Sequence, residues 1–330
     1  MHVGLVGAGR IGTFHAGVLA ASPLVDALTI ADVDTARAEA VARKLNASFA
    51  RSPEDVVAGG VDALVIAAAT PAHAHLIHLA AGAGLPAFCE KPIALDLETT
   101  DAVLDHVRAA GILLQIGFQR RFDAGYVAAR EAVLSGSVGD LLLLRAAGHD
   151  PEPPPEDYVA ASGGIWRDLH VHDFDVLPWV AGCEIVEVYA DGAAGAELFR
   201  RYDDVDRAAA VLKFEGGLLG VLTGSRYDPL GYDIRLEVLG SRDSIAVGLD
   251  DRTALRSVEP GAAPANRGHR DFLERFQGAY QAELETFLAR ASDGGDSPCS
   301  GEDARRALCV ALAADRSRRE HRPVRVEEIG

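Results

Sequence analysis

Gly7-Ala8-Gly9-Arg10-Ile11-Gly12 follows an apolar strand, Val3 to Val6, and opens a helical segment, Gly12 to Ala21. In a strand–turn–helix setting this spacing has a mechanical reading. The first glycine permits a tight turn, the second lets the backbone approach a pyrophosphate, and the third lets the helix pack closely on the sheet. Amide hydrogens at the helix start then face the phosphates. A lone glycine hexad is weak evidence, but here an acidic residue, Asp32, closes the second strand, Ala27 to Ala31. A carboxylate there accepts hydrogen bonds from an adenosine ribose and repels a 2′-phosphate. Val33-Asp34 follows it rather than an arginine, so NAD is expected over NADP. Asp34 itself reads as the cap of the next helix.

Outward from this loop, apolar strands alternate with helical segments. Helices are expected over Thr35 to Leu45, Ala72 to Ala81 and Leu97 to Ala110, and strands over Val61 to Ala67, Ala87 to Cys89 and Leu113 to Gly117. Strict alternation predicts an α/β protein with a doubly wound parallel Rossmann sheet. The uniformly apolar Val61 to Ala67 suits a strand covered on both faces. Past Arg120 the pattern changes. A helix from Ala124 to Leu134 and a strand from Leu141 to Ala147 lead into Pro151 to Pro155, which fits only an extended loop. Strands over Glu184–Ala190, Arg207–Phe214, Leu218–Arg226, Ile234–Leu239 and Ser244–Val247 are joined by turn chemistry at Glu215-Gly216-Gly217 and Gly240-Ser241-Arg242. They predict a mainly antiparallel sheet, before helices from Tyr280 to Ala291 and from Gly301 to Arg319. The expected division is a dinucleotide-binding domain over residues 1–120 and a substrate-binding and oligomerisation domain over residues 121–330.

Two domains suit the length of 330 residues, and a hydrophobic content of 48% fills two cores. Asp and Glu outnumber Lys and Arg by 49 to 32, a formal charge of −17, which argues against nucleic acid as a partner. Arg316, Arg318 and Arg319 lie among acidic residues and read as a solvated helix face. Cys89, Cys183, Cys299 and Cys309 are far apart, with no pair at metal-ligand spacing, so free thiols in a reducing compartment are expected. No apolar run approaches the roughly 20 residues of a membrane helix. His2 to Val6 already reads as a core strand, leaving no room for a leader. The expected place is the cytoplasm, away from membranes.

Ala68 to His73 ends the third long strand, and small residues followed by a proline-started helix suit a cofactor crevice at Ala69, Thr70 and His73. His73 and His75 have no carboxylate or cysteine close in sequence, and no metal is expected there. In Glu90-Lys91-Pro92 the lysine has two readings. It donates a hydrogen bond to a substrate hydroxyl, stabilising the alkoxide-like oxygen formed as hydride leaves, or it is a surface lysine paired with Glu90. Local context leaves both open. In Ser162 to Asp175 a helix beginning near Asp168 places Asp168 and His172 one turn apart on one face. A histidine titrating near neutrality suits accepting a hydroxyl proton, and a carboxylate beside it orients the ring. His170, Asp173 and Asp175 are metal-ligand types, but His170 and His172 face different sides of a helix, and no metal is expected here either. A polar first helical turn explains Asp168 but not two histidines beside it.

Together these pieces resemble the Gfo/Idh/MocA oxidoreductase family, and within it the inositol 2-dehydrogenases. The resemblance rests on Gly7–His15, Cys89–Pro92, Gly117–Asp123, Asp150-Pro151, Pro153–Pro155, Tyr158 and Ser162–Asp175. Weaker matches lie at Gly231-Tyr232-Asp233, Glu237–Gly240 and Ala279–Glu283. It implies a Rossmann domain followed by an α/β domain whose large open sheet supports a homodimer or homotetramer. It implies NAD-dependent hydride transfer at a cyclitol hydroxyl, with Lys91, Asp168 and His172 catalytic and His172 as acid/base. Implied cofactor contacts are Gly7, Gly9, Arg10, Ile11, Gly12, Asp32, Ala69, Thr70, His73, Glu90, Lys91 and Gln119. Implied substrate contacts are Lys91, His149, Trp166, Asp168, His172, Asp175 and Tyr232, with Arg120 near cofactor or substrate.

Departures bear on the substrate. Gly148-His149-Asp150 stands where the inositol enzymes usually have Ser-Arg-Asp, Trp166 and His170 stand for Phe and Thr, and Tyr227-Asp228-Pro229 is unusual. Sites that hydrogen-bond hydroxyls discriminate strongly, because a mismatch leaves a buried polar group unpaired. A pyranose or aminosugar is therefore the alternative substrate class. Two further readings are a cofactor-binding sensor without catalysis, against which Lys91, Asp168 and His172 argue, and glycosidic cleavage with NAD as a transient oxidant.

Overall fold

The computed structural model describes residues 1–262 and 266–330. The chain opens with β1 (His2–Val6), α1 (Arg10–Ala21), β2 (Ala27–Ala31), α2 (Thr35–Leu45), β3 (Ser48–Phe49) and α3 (Pro53–Ala58). Next come β4 (Ala63–Ile66), α4 (His73–Gly82), β5 (Ala87–Glu90), α5 (Leu97–Ala110) and β6 (Leu114–Gly117). The six strands form one parallel sheet in the order β3-β2-β1-β4-β5-β6, the doubly wound arrangement expected. Every residue of β4, β5 and β6 is buried, as continuous apolar runs require when helices cover both faces. Strand order reverses between β1 and β4, so a crevice opens beyond their carboxyl ends.

Capping fixes where helices begin. Asp34 caps α2 by accepting the Arg37 N–H, Ser52 caps α3 ahead of Pro53, and Asp96 caps α5 through the Thr99 N–H. The cap at Asp34 is the role expected of it. Strand β3 and helix α3 have no counterpart in the sequence reading, because two and six residues are too short for periodicity to show.

The rest of the chain contributes α6 (Ala124–Leu134), β7 (Leu141–His149), α7 (Glu156–Ala161), α8 (Ile165–Asp168), α9 (Val171–Ala181), β8 (Ile185–Ala193) and α10 (Glu197–Arg201). It continues with β9 (Arg207–Phe214), β10 (Leu219–Ser225), β11 (Asp233–Gly240), β12 (Ser244–Val247), α11 (Phe272–Asp293), α12 (Gly301–Glu320) and β13 (Val324–Arg325). A seven-stranded sheet runs β12-β11-β7-β10-β9-β8-β13, antiparallel except where β7 lies beside β10. Along β9 exposed and buried residues alternate without exception, the mark of a sheet with one face on a core and one face open.

Two compact units result. One holds Met1–Phe122 with Gly278–Arg305, the other Asp123–Gln277 with Arg306–Gly330. Helix α11 departs from helical geometry at Phe276 (φ −115°, ψ 19°), just before Gly278. Beyond it, Leu284, Phe287 and Leu288 are unexposed in the first unit's core with Val3, Leu5 and Phe88. Their spacing of three and four residues puts all three on one helix face.

Candidate active site

In the first unit, Gly7 has φ 103°, and a Cβ there would lie 2.4 Å from the Ala67 backbone. A Cβ on Gly12 would lie 2.0 Å from the Gly7 carbonyl oxygen, whereas one on Gly9 would meet nothing within 4 Å. Gly7 and Gly12 are thus demanded by the fold, and Gly9 lines an open cradle. Helix α1 begins at Arg10, earlier than its expected start at Gly12, with Gly9 as its cap residue. It carries neither a side-chain cap nor an acid in its first turn, so its positive end faces the cradle uncompensated. This is the donor set that dinucleotide phosphates fit.

Asp32, its side chain only 7% exposed, accepts the Ala8 N–H at 2.6 Å and the Asp34 N–H at 2.8 Å. Arg37 also donates to it at 3.1 Å. The sequence shows no arginine directly after Asp32. The first turn of α2 nevertheless brings one to the same carboxylate.

Across the crevice, a 3-10 turn over Thr70–Ala72 follows Ala69 and leads into α4. His73 is buried, with Nδ1 2.7 Å from the Pro92 carbonyl and Nε2 2.9 Å from the Ala68 carbonyl. Both partners are acceptors, so a neutral ring satisfies one and only the doubly protonated ring donates to both. His73 thereby ties the end of β4 to the turn after β5. Half-buried Lys91 follows Glu90, the last residue of β5, and buried Gln119 and Arg120 lie in the turn after β6. Glu90 Oε1 lies 2.6 Å from His15 Nε2. Glu283 of α11 is fully buried close by, its carboxyl, the Glu90 carboxyl and a His15 nitrogen all within 4.8 Å of one another. Burial, then the charge of Glu90, pushes the Glu283 carboxyl well above the usual range.

In the second unit the expected single helix from Asp168 is corrected. Asp168 is the last residue of α8, His172 is the second of α9, and Leu169 and His170 lie between. The helix starts early because Gly164 takes φ 88° and Asp204 accepts the Ile165 N–H at 2.9 Å.

Asp168 is gripped on both oxygens. The Tyr158 hydroxyl donates to Oδ1 at 2.7 Å, and Arg226 Nη2 lies 2.8 Å from Oδ2. Arg226 Nη1 donates to Asp150 at 3.0 Å. Burial opposes the guanidinium charge, yet Asp168 and Asp150 outweigh it and raise the Arg226 pKa. The Asp168 charge, aided by burial, likewise pushes the Tyr158 hydroxyl up, which keeps it a donor. Tyr158 entered the sequence reading only through the resemblance, and Arg226 only as the last residue of an expected strand. The signal available was an arginine closing a strand in a unit rich in aspartate.

His149 ends β7 and faces Ser225 on one side and Asp233 on the other. Its Nδ1 lies 3.7 Å from Asp228, and Asp233 is held by Arg235 at 2.8 Å. Buried Tyr232 meets the Phe276 ring edge-on, and Asp175 is 2% exposed. His172 is half-buried. Trp166 is also 2% exposed, packed on His170 and stacked on Phe174. His170 is fully buried against Asp173 at 3.0 Å.

Residues 1–118 match an oxidoreductase family with an NAD-binding Rossmann fold, and residues 126–246 match the GFO/IDH/MocA C-terminal domain. A myo-inositol 2-dehydrogenase of Thermotoga maritima is 38% identical over 336 residues, spanning 100% of this chain and 99% of that one. A myo-inositol dehydrogenase of Streptomyces leeuwenhoekii is 40% identical over 322 residues, spanning 96% and 97%. A solved structure of scyllo-inositol dehydrogenase from Lactobacillus casei, with bound NAD(H) and scyllo-inositol, is similar with a TM-score of 0.89 at 26% identity, spanning 99% of each chain. With both halves matched in order and relatives similar from end to end, the chain belongs to the Gfo/Idh/MocA family of oxidoreductases.

Proposed function

We propose that this protein is an NAD-dependent dehydrogenase acting on a ring hydroxyl of a cyclitol, with myo- or scyllo-inositol as first substrates. The observation that carries this reading is the polar wall at the ends of β7, β10 and β11. Register there sets His149 against Ser225 and Asp233, with Asp150, Arg226 and Asp228 adjoining. Convergent donors and acceptors of this kind read hydroxyls rather than an apolar ligand. The names of the relatives, inositol dehydrogenases from several organisms, point the same way.

Lys91, Asp168 and His172 form the proposed catalytic group. His172 takes the hydroxyl proton, Lys91 donates a hydrogen bond to the oxygen that becomes a carbonyl, and Asp168 is a fixed anion favouring the imidazolium. His149, Trp166, Asp175 and Tyr232 hold the remaining ring. Bound NAD supplies the hydride acceptor. Gly7, Gly9, Arg10, Ile11, Gly12 and Asp32 would hold it on one side of the crevice, and Ala69, Thr70, His73, Glu90, Lys91 and Gln119 on the other. Residues 1–120 carry the cofactor role and residues 121–330 the substrate role, except that Gly278–Arg305 packs with the first unit.

The test is NADH formation with inositol isomers and glucose-type sugars, with NAD and NADP in parallel. Turnover of a cyclitol with NAD is expected, and no turnover of any cyclitol overturns the reading. Lys91→Ala and His172→Ala should each lower turnover by about 10²–10⁴-fold with NAD affinity near normal. A pyranose or aminosugar is the second reading, favoured by the His149–Asp228 pair, which changes the hydrogen-bonding capacity of that wall.

A homodimer or homotetramer is part of the proposal. Val211 lies opposite Tyr189 on one side and Val221 on the other, and these three, with Leu219, are exposed on the open sheet face. Light scattering on the purified protein tests it. No helix among the described residues is long and apolar enough to cross a membrane, and the cytoplasm is the proposed location.

A further inference from the structure

We infer that Arg226 is the positioning residue of this site, fixing the Asp168 carboxylate in place. The inference rests on the catalytic reading of Asp168 and His172 above.

Arg226 follows the last residue of β10 and is 3% exposed. Its backbone N–H donates to the Asp206 carbonyl at 2.8 Å, so the side chain leaves from an anchored point. One guanidinium nitrogen reaches Asp150 at 3.0 Å and another reaches Asp168 at 2.8 Å. Only a planar, forked cation serves two carboxylates in this way; a lysine offers a single point charge. Asp150 follows β7 and Asp168 ends α8, so one side chain joins two elements that the backbone leaves separate. Tyr158 from α7 completes the clamp on Asp168.

The charges decide what the clamp does. Asp150, Asp168, Arg226 and Tyr158 face one another, and the fields of Arg226 and Asp168 also reach Asp204, whose carboxyl burial raises above its usual range. A buried carboxylate beside a second, half-buried one holds its proton to higher pH when no cation lies between them. The Arg226 guanidinium between them favours the anionic form of both. Neither Asp168 oxygen is then suited to take the substrate proton, which leaves that step to His172, with Asp168 as its oriented counter-charge.

The test compares Arg226→Met, Arg226→Lys and Tyr158→Phe with the wild type in the full-length protein, reading kcat across pH and NAD affinity by fluorescence. Arg226→Met is expected to lower kcat on the order of 100-fold with NAD affinity within about twofold of wild type, since the cofactor cradle lies in the other unit. Its acid limb should move to higher pH, because a carboxylate stripped of its guanidinium keeps its proton longer. Arg226→Lys should recover part of both changes, and Tyr158→Phe should move the limb the same way by less. An unmoved acid limb in Arg226→Lys and Tyr158→Phe overturns the inference even where Arg226→Met fails to fold. If His172→Ala keeps wild-type turnover, the catalytic reading falls and this inference with it. If His172→Ala is inactive and the limbs stay put, only the Arg226 assignment falls.

Discussion

Asp32 accepts the backbone N–H of Ala8 at 2.6 Å, so the acidic end of β2 and the glycine loop are one rigid piece. The carboxylate shapes the loop as well as offering an acceptor for a ribose. Arg37 donates to its other oxygen at 3.1 Å, which places a cation where a 2′-phosphate would be read.

Asp32→Ala therefore has two effects. It leaves the Ala8 N–H without its partner and releases Arg37 towards a phosphate. The KM for NAD should rise about tenfold or more, equivalent to ~1.4 kcal/mol, while use of NADP improves. The double variant Asp32→Ala/Arg37→Ala should lose the NADP gain. Steady-state kinetics with both cofactors checks this, and an unchanged preference would show that another residue reads the ribose.

The glycines of the loop separate by what a methyl group meets. Gly12→Ala drives a Cβ to 2.0 Å from the Gly7 carbonyl oxygen and should destabilise the fold by about 1–3 kcal/mol. Gly9→Ala meets open space, so the melting temperature should hold while NAD binding weakens. Thermal unfolding and NAD titration of the two variants should give opposite patterns. Equal losses of stability would contradict the cradle.

Glu283 gives stability a pH dependence of known sign. Its folded pKa is raised well above the ordinary 4.5, so between that value and the folded pKa the native state binds more protons than the unfolded chain. Its contribution is full below the ordinary value and is lost as pH rises, by at most ~1.4 kcal/mol per pH unit. Glu283→Gln keeps the shape without the ionisation. Its melting temperature relative to wild type should climb as pH rises above the ordinary carboxylate range. A difference that stays constant with pH would mean that Glu283 is ionised in the fold.

Phe287 tests the return of α11 to the first unit. It is unexposed and packs tilted against the Phe88 ring at a centroid distance of 5.9 Å. Phe287→Ala should cost about 3–5 kcal/mol and lower the melting temperature of the full chain. A loss below ~1 kcal/mol in denaturant titration would place that helix face outside the core.

Local chemistry was legible along most of the chain. The ranges of β2, α2, α5, α6, β9 and β12 are those that periodicity and turn residues predict, because both are direct consequences of backbone geometry. The break between Asp168 and His172 was not legible. Nor was the early start at Ile165, which rests on Asp204 holding the Ile165 N–H, a contact made by a residue 39 positions away.

The chain's own order of residues determined the parallel sheet, the phosphate-binding turn and the candidate acid, base and lysine, since each is written within a few neighbouring positions. Tertiary structure alone decided that Arg226 bridges Asp150 and Asp168 and that Glu283 lies beside Glu90 and His15. Buried charges take their partners from whatever packing brings within reach, and in a low dielectric those partners set which groups stay charged. That selection depends on loop closure between distant segments, which no local pattern encodes.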